Sequence, residues 1–178
     1  LGLVAITHLP FPKIIASLPQ NCVLSASWAM ASEVGRACSE IHRGDCPPEL
    51  VLKIAMAVGR SKTDHPFHAY LASLPEDLPN VTWWPEELLR QLDGTNLGVA
   101  ARKERREISR QHEAFLPPLI DRYPNIFGDV TLERLQWSCA MYESRRFPAR
   151  LCFDDTGVTS EETALLKNVG IMLPSLDL

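Results

Sequence analysis

The sequence predicts an α+β fold in which short β-like segments at both ends enclose a block of amphipathic helices. Three observations predict it. Residues 1–28 hold short apolar or β-branched runs separated by prolines. From about residue 47 the apolar pattern changes to the 3.6-residue period of helices. At the far end the chain returns to a β-like run at Ile171–Leu173. β-structure flanking a helical block implies one β-rich domain with a helical insertion. The expected segments are 1–46 and 141–178 for the β-rich core and 47–140 for the insert.

Taken in order, Leu3–Thr7, Ile14–Leu18 and Cys22–Ser25 are the candidate strands, with Pro10, Pro12 and Pro19-Gln20-Asn21 between them. Residues 29–46 are small and polar, with Gly35 and Gly44, and fit a helix followed by a loop. Pro47-Pro48-Glu49 opens a helix, with proline and an acid in its first turn. Leu50, Ile54, Ala57 and Val58 fall on one face of it. Pro85-Glu86-Glu87 starts another in the same way. Its stripe is Leu88, Leu89 and Leu92, with Gly94 at the C-terminal cap. A long charged helix runs from about Gly98 to Ile120. A further helix follows Asp129-Val130-Thr131, with Leu132, Leu135, Cys139 and Tyr142 on one side. Residues 154–163 are polar and fit a loop.

Both ends are apolar and abrupt. Leu1-Gly2-Leu3-Val4-Ala5-Ile6 lacks an initiator methionine, and Leu173–Leu178 has no polar tail. Such segments need neighbours to cover them, so the chain is expected to be a piece of a larger protein.

The 178 residues are 46% apolar, enough for a real core, and carry a net charge of −4. That balance gives no push toward nucleic acid or an anionic membrane, and no apolar run has the length of a membrane span. Five cysteines without a C-x-x-C pair fit reduced thiols in an intracellular protein, whether cytoplasmic, nuclear or plastid. Cys38, His42 and Cys46 lack a fourth partner for a metal, and no metal is expected.

Other motifs have plain readings. Arg102, Lys103, Arg105, Arg106 and Arg110 are interleaved with Glu104, Glu107 and Glu113. With no aromatic partner for base stacking, they read as a solvated helix face with a Lys103–Glu107 pair. Asp155-Thr156-Gly157 matches the aspartic-protease triplet but lacks the apolar strand before it, so it reads as a turn. Trp83-Trp84 before a proline-started helix reads as core packing or a staple. His65 and His68 read as polar surface or cap residues.

Four segments together carry a family resemblance. "HPFHAYLASLPEDLPNVTWWPEELLRQLDGTNL" (His65 to Leu97) resembles the entry to the helical insert of SET-domain methyltransferases of the Rubisco large-subunit lysine methyltransferase type. "LERLQWSCAMYESRRF" (Leu132 to Phe147) resembles the family helix ending in Ser-Arg-x-Phe. "MLPSLDL" (Met172 to Leu178) resembles the strand and turn that runs on into Asn-His. "LGLVAITHLPFPKIIASLP" (Leu1 to Pro19) resembles the opening strand and first hairpin. The match covers nearly the whole chain in the right order. The Asn-His pair, the later SET segment with its active-site tyrosine and the C-terminal helical domain are not in the chain.

The resemblance implies a β-rich SET core interrupted by a helical insert and cut before its C-terminal SET segment. It implies S-adenosylmethionine as cofactor, no metal, and methyl transfer to a lysine of a protein substrate. Leu1 would lie against the cofactor, and Arg145 would contact its carboxylate end. Ser144 and Arg145 would offer backbone oxygens near the target nitrogen. Asp177 and Leu178 would start the segment that wraps the cofactor. Taken without the family, Arg145 reads as a helix-end cation and Asp177 as a turn acid. The residues 1–178 alone are expected to be a poor enzyme. The alternatives are a non-catalytic interaction scaffold, in which the helical block docks a partner, and a histidine-methylating relative.

Overall fold

The computed structural model describes residue 8 and residues 19–77, 80–148 and 169–172. The helical elements are α1 (Ala26–Ala31), α2 (Glu33–His42), α3 (Pro48–Ser61), α4 (His68–Ser73), α5 (Glu86–Leu89), α6 (Asn96–Arg122), α7 (Pro124–Phe127) and α8 (Leu132–Arg145). Short 3₁₀ turns occupy Gln20–Cys22, Val81–Trp83 and Arg90–Leu92.

α3 is the hub. Proline stands in its first turn and Glu49 beside it, as its opening predicts. The expected face of Leu50, Ile54, Ala57 and Val58 is buried, but so are Val51, Leu52, Ala55 and Met56. A helix buried over most of its circumference is surrounded by protein, and its Lys53 and Arg60 are held in ion pairs. α1, α2, α4 and α8 all pack on it. α8 presents Leu135, Cys139 and Tyr142 to this core, and Ser138, Ala140 and Met141 are buried with them. Each fully buried leucine here contributes about 1.5–3 kcal/mol.

The helix starts follow side-chain chemistry. Thr131 accepts a hydrogen bond from the Arg134 N–H at 3.2 Å and Thr95 one from the Gly98 N–H at 3.1 Å. Ser32 splits the region expected to be one helix into two. Its hydroxyl donates to the Ala29 carbonyl at 2.6 Å and accepts from the Gly35 N–H at 3.3 Å, ending α1 and starting α2 with one residue. α6 runs two residues past the expected end, through Pro117 and Pro118.

Two expectations need correction. Leu88 lies 43% exposed, whereas Leu89 is buried. α5 lasts only four residues and continues as a 3₁₀ turn, so the 3.6-residue stripe does not persist. The expected β-rich core is also much reduced. Among the described residues, β-structure is limited to two isolated antiparallel bridges, Leu24 with Met172 and Phe147 with Ile171. Within Cys22–Ser25, Cys22 closes a 3₁₀ turn, Leu24 makes its bridge and Ser25 caps α1. The runs Leu3–Thr7 and Ile14–Leu18, and Leu173 itself, lie outside the described residues. The two bridges nevertheless bring Leu24 and Phe147 together on the Ile171–Met172 segment, just past the end of α8.

Candidate functional site at the end of α8

α8 ends at Arg145 because the next residues, Arg146 and Phe147, leave helical geometry to bridge to Ile171. The Phe147 N–H donates to the Ile171 carbonyl at 2.7 Å, and the Ile171 N–H returns a bond at 2.9 Å. The last carbonyls of a helix have no partner inside it. Four residues after Ser144 stands Pro148, which has no N–H. The Ser144 carbonyl therefore cannot receive the bond that a continued helix would supply.

Ser144 is exposed, and its hydroxyl donates to the Met141 carbonyl at 3.1 Å. Arg145 is half-buried. Its guanidinium donates to the Ser144 hydroxyl at 2.7 Å and touches the Met141 sulfur at 3.4 Å. It has no carboxylate partner among the described residues. Arg146, the next residue, behaves differently. It pairs with Glu143 at 2.9 Å and lies over the Tyr142 ring. The side chains of Leu1, Asp177 and Leu178 lie outside the described residues.

Three residues that carried no functional reading in the sequence build the floor of this site. Tyr142 is fully buried and its hydroxyl donates to the Gly170 carbonyl at 3.3 Å. Burial pushes its pKa up to about 12, so it stays a donor. Gly170 permits that approach. A Cβ there would sit 2.9 Å from the Arg146 Cβ and 3.0 Å from the Tyr142 hydroxyl. Lys53 reaches across from α3, pairs with Glu49 and with Glu143 at 3.5 Å, and also lies over the Tyr142 ring. Burial opposes its charge, but Cys139, Glu49 and Glu143 outweigh burial and raise its pKa. Cys139 is itself pushed up to about 12 by burial, so at neutral pH the two carboxylates hold the ammonium. A glycine between Val169 and Ile171 is the sequence signal that could have found this close approach.

The other sequence candidates separate from this place. His42 meets the Phe115 carbonyl at 3.0 Å, while the buried Cys38 and Cys46 share a hydrogen bond with each other. His65 is not a plain surface residue. It packs edge-on against Trp28, which in turn meets Phe67 edge-on, and its Nδ1 accepts from the Phe67 N–H at 3.2 Å. Trp83 packs against the core, but Trp84 is 39% exposed. The basic cluster is not one solvated face. Glu107 pairs with Arg110 at 2.7 Å rather than with Lys103. Arg105 donates to the Thr82 and Trp84 carbonyls, fastening the turn before α5 to α6. Asp155-Thr156-Gly157 lies outside the described residues.

With the geometry in hand, the chain can be set beside known proteins. The crystal structure of the SET domain of LSMT bound to MeLysine and AdoHcy superposes with a TM-score of 0.75, covering 99% of this chain and 37% of that one at 23% identity. The fold is that of the LSMT SET domain. Rubisco LSMT bound to AdoMet agrees, with a TM-score of 0.72 over 90% of this chain and 33% of that one at 23% identity. In sequence, the chain is 27% identical over 177 residues to the chloroplastic Rubisco large subunit N-methyltransferase of Pisum sativum, covering 92% of this chain and 35% of that protein. It is 24% identical over 153 residues to the chloroplastic fructose-bisphosphate aldolase-lysine N-methyltransferase of Arabidopsis thaliana, covering 83% and 30%. The chain therefore spans about a third of the length of the curated relatives it matches. No family model matches it.

Proposed function

We propose that the full-length protein is an S-adenosylmethionine-dependent protein-lysine N-methyltransferase, and that residues 1–178 supply the first SET segment, the insert and the start of the second SET segment. In this division 1–46 and 141–178 form the SET part, with the finer β-rich core centred on their junction, and 47–140 form the insert. The observation that carries the proposal is the return of Ile171–Met172 to Leu24 and Phe147, at the end of α8 where Ser144 and Arg145 stand. The relatives are named for lysine, which favours lysine over histidine. They are also named as chloroplastic, which favours a plastid among intracellular sites. Among the described residues, no helix is long and apolar enough to cross a membrane.

The cofactor supplies a methyl group activated on a sulfonium. The work of this chain is positioning. A lysine ammonium, with a reference pKa of about 10.4, has no lone pair and must lose its proton first. A dry channel favours the neutral amine. The Ser144 carbonyl, without a helical partner, can accept a hydrogen bond from that amine and align it. The Arg145 guanidinium, without a carboxylate among the described residues, suits the cofactor carboxylate. Asp177, Leu178 and Leu1 complete the cofactor side in this proposal.

The test uses the full-length protein and calorimetric titration with S-adenosylmethionine. A charge-assisted hydrogen bond is worth about 1.5–3 kcal/mol, so Arg145→Ala should weaken binding roughly ten- to a hundredfold. Arg146→Ala should bind nearly normally, because Arg146 is engaged with Glu143. Residues 1–178 alone should bind little. If Arg145→Ala binds like wild type, Arg145 is a helix-end cation and the cofactor site lies elsewhere.

A further inference from the structure

All four exposed large hydrophobic side chains among the described residues lie between positions 84 and 99. Trp84 is 39% exposed, Leu88 43%, Leu97 52% and Val99 63%. Val99 among them lines a cleft of about 440 Å³, between the 3₁₀ turn after α5 and the first turns of α6. Val99, Arg102 and Arg106 line it from one face of α6, at spacings of three and four residues. Arg90 faces them from the turn, and Glu86 and Asp93 complete the wall.

The charges in this cleft do not cancel. Both acids are already engaged by Arg102, Asp93 at 2.6 Å and Glu86 at 3.5 Å, and Glu86 also meets Arg105 at 3.5 Å. Arg90 and Arg106 are exposed and have no carboxylate partner among the described residues. Two uncommitted guanidinium groups thus border an apolar edge, on a chain whose net charge is −4. Guanidinium forks match carboxylates bidentately. An exposed apolar side chain rimmed by uncommitted charges is a place where a partner's apolar side chain and carboxylates can bind together. Nucleic acid fits less well, because the wall carries two acids and the local excess of positive charge is small.

We propose that this corner docks an acidic segment of a partner protein, with carboxylates on Arg90 and Arg106 and an apolar side chain against Val99. The surface is independent of methyl transfer, so it is tested on the full-length protein, whatever the outcome at Arg145.

The probe is a fluorescein-labelled Glu-Leu-Glu-Glu-Leu-Glu peptide, followed by fluorescence anisotropy. Its controls are the analogue with Lys for Glu, and a short oligothymidylate. The acidic peptide should bind, more weakly as salt rises, and the lysine analogue should not. The double variant Arg90→Glu/Arg106→Glu should weaken binding roughly tenfold or more, and Val99→Ser roughly threefold. Val99→Ser also serves if the double variant fails to fold. Thermal midpoints should not move, since these side chains are exposed. The proposal is overturned if wild type does not bind the peptide, or if the variants bind as wild type does. It is also overturned if oligothymidylate binds as well as the peptide. Sedimentation showing dimers that Val99→Ser dissolves would replace the partner with a second copy of the chain.

Discussion

The α3–α8 core and the α5–α6 corner are fastened in opposite ways. In the core, Leu52, Ile54, Met56, Leu135 and Met141 are fully buried, and the charged Lys53 is held between two carboxylates. In the corner, Leu88, Leu97 and Val99 face solvent, and the turn before α5 is tied down by Arg105 on two backbone carbonyls. Apolar burial is strong and needs no particular partner geometry. An arginine on a carbonyl is directional and weaker, but it leaves the surrounding surface open for contacts. The core is thus suited to holding the end of α8 still, and the corner to meeting something else.

The largest effect should separate the two regions directly. Leu135→Ala leaves a cavity and should cost about 2–5 kcal/mol, measured by urea denaturation. Leu88→Ala should stay within about 0.5 kcal/mol. Equal losses would erase the distinction. Next, Gly170→Ala forces a Cβ between Arg146 and Tyr142 and should cost about 1–3 kcal/mol. An unchanged midpoint would mean that the Val169–Met172 segment is not held against α8.

A smaller effect is expected in the corner. Arg105→Ala should cost about 1 kcal/mol, after allowance for partial exposure. Amide exchange at Val81–Trp83 should speed up before the core opens. If the whole molecule exchanges together, the corner is not a separate unit.

The smallest effect is a pH dependence at the half-buried His65, at the edge of the core. Burial lowers the pKa of His65, and Lys62 and His68 act in the same sense against Asp64. A folded pKa below the unfolded value of about 6.5 adds stability that is complete above that value. Stability should therefore fall as pH drops below about 6.5, where a protonated Nδ1 can no longer accept the Phe67 N–H. His65→Gln should flatten that slope in thermal melts between pH 5 and 7, windows set by the reference pKa.

The helices were legible because their signals are local. Pro48 and Glu49 open α3, Thr131 caps α8, and Gly94 takes a φ of +80° just after the turn that ends at Leu92. Ser144 and Arg145 were legible as a motif, and the pair does stand where the two chain segments meet. The floor beneath them was not legible. Tyr142, Gly170 and Lys53 come from three separate stretches, and nothing in sequence spacing says that a phenol will meet a carbonyl 28 residues on. The basic cluster misled for the same reason. Charge periodicity predicts i,i+4 pairs along one helix, whereas Arg102 and Arg105 found partners on the segment packed beside it.

By itself, then, the sequence determined the starts of α3 and α8, the apolar faces of those two helices and which family pattern the segments follow, because caps, prolines and periodicity act over a few residues. Only the tertiary structure decided which charges stay unpaired and which side chains form the floor beneath the end of α8. It also decided how little ladder pairing joins the described parts of the two end segments. Those outcomes depend on which neighbour arrives within about 3 Å of a polar group, and that distance is set by packing between parts of the chain far apart in sequence.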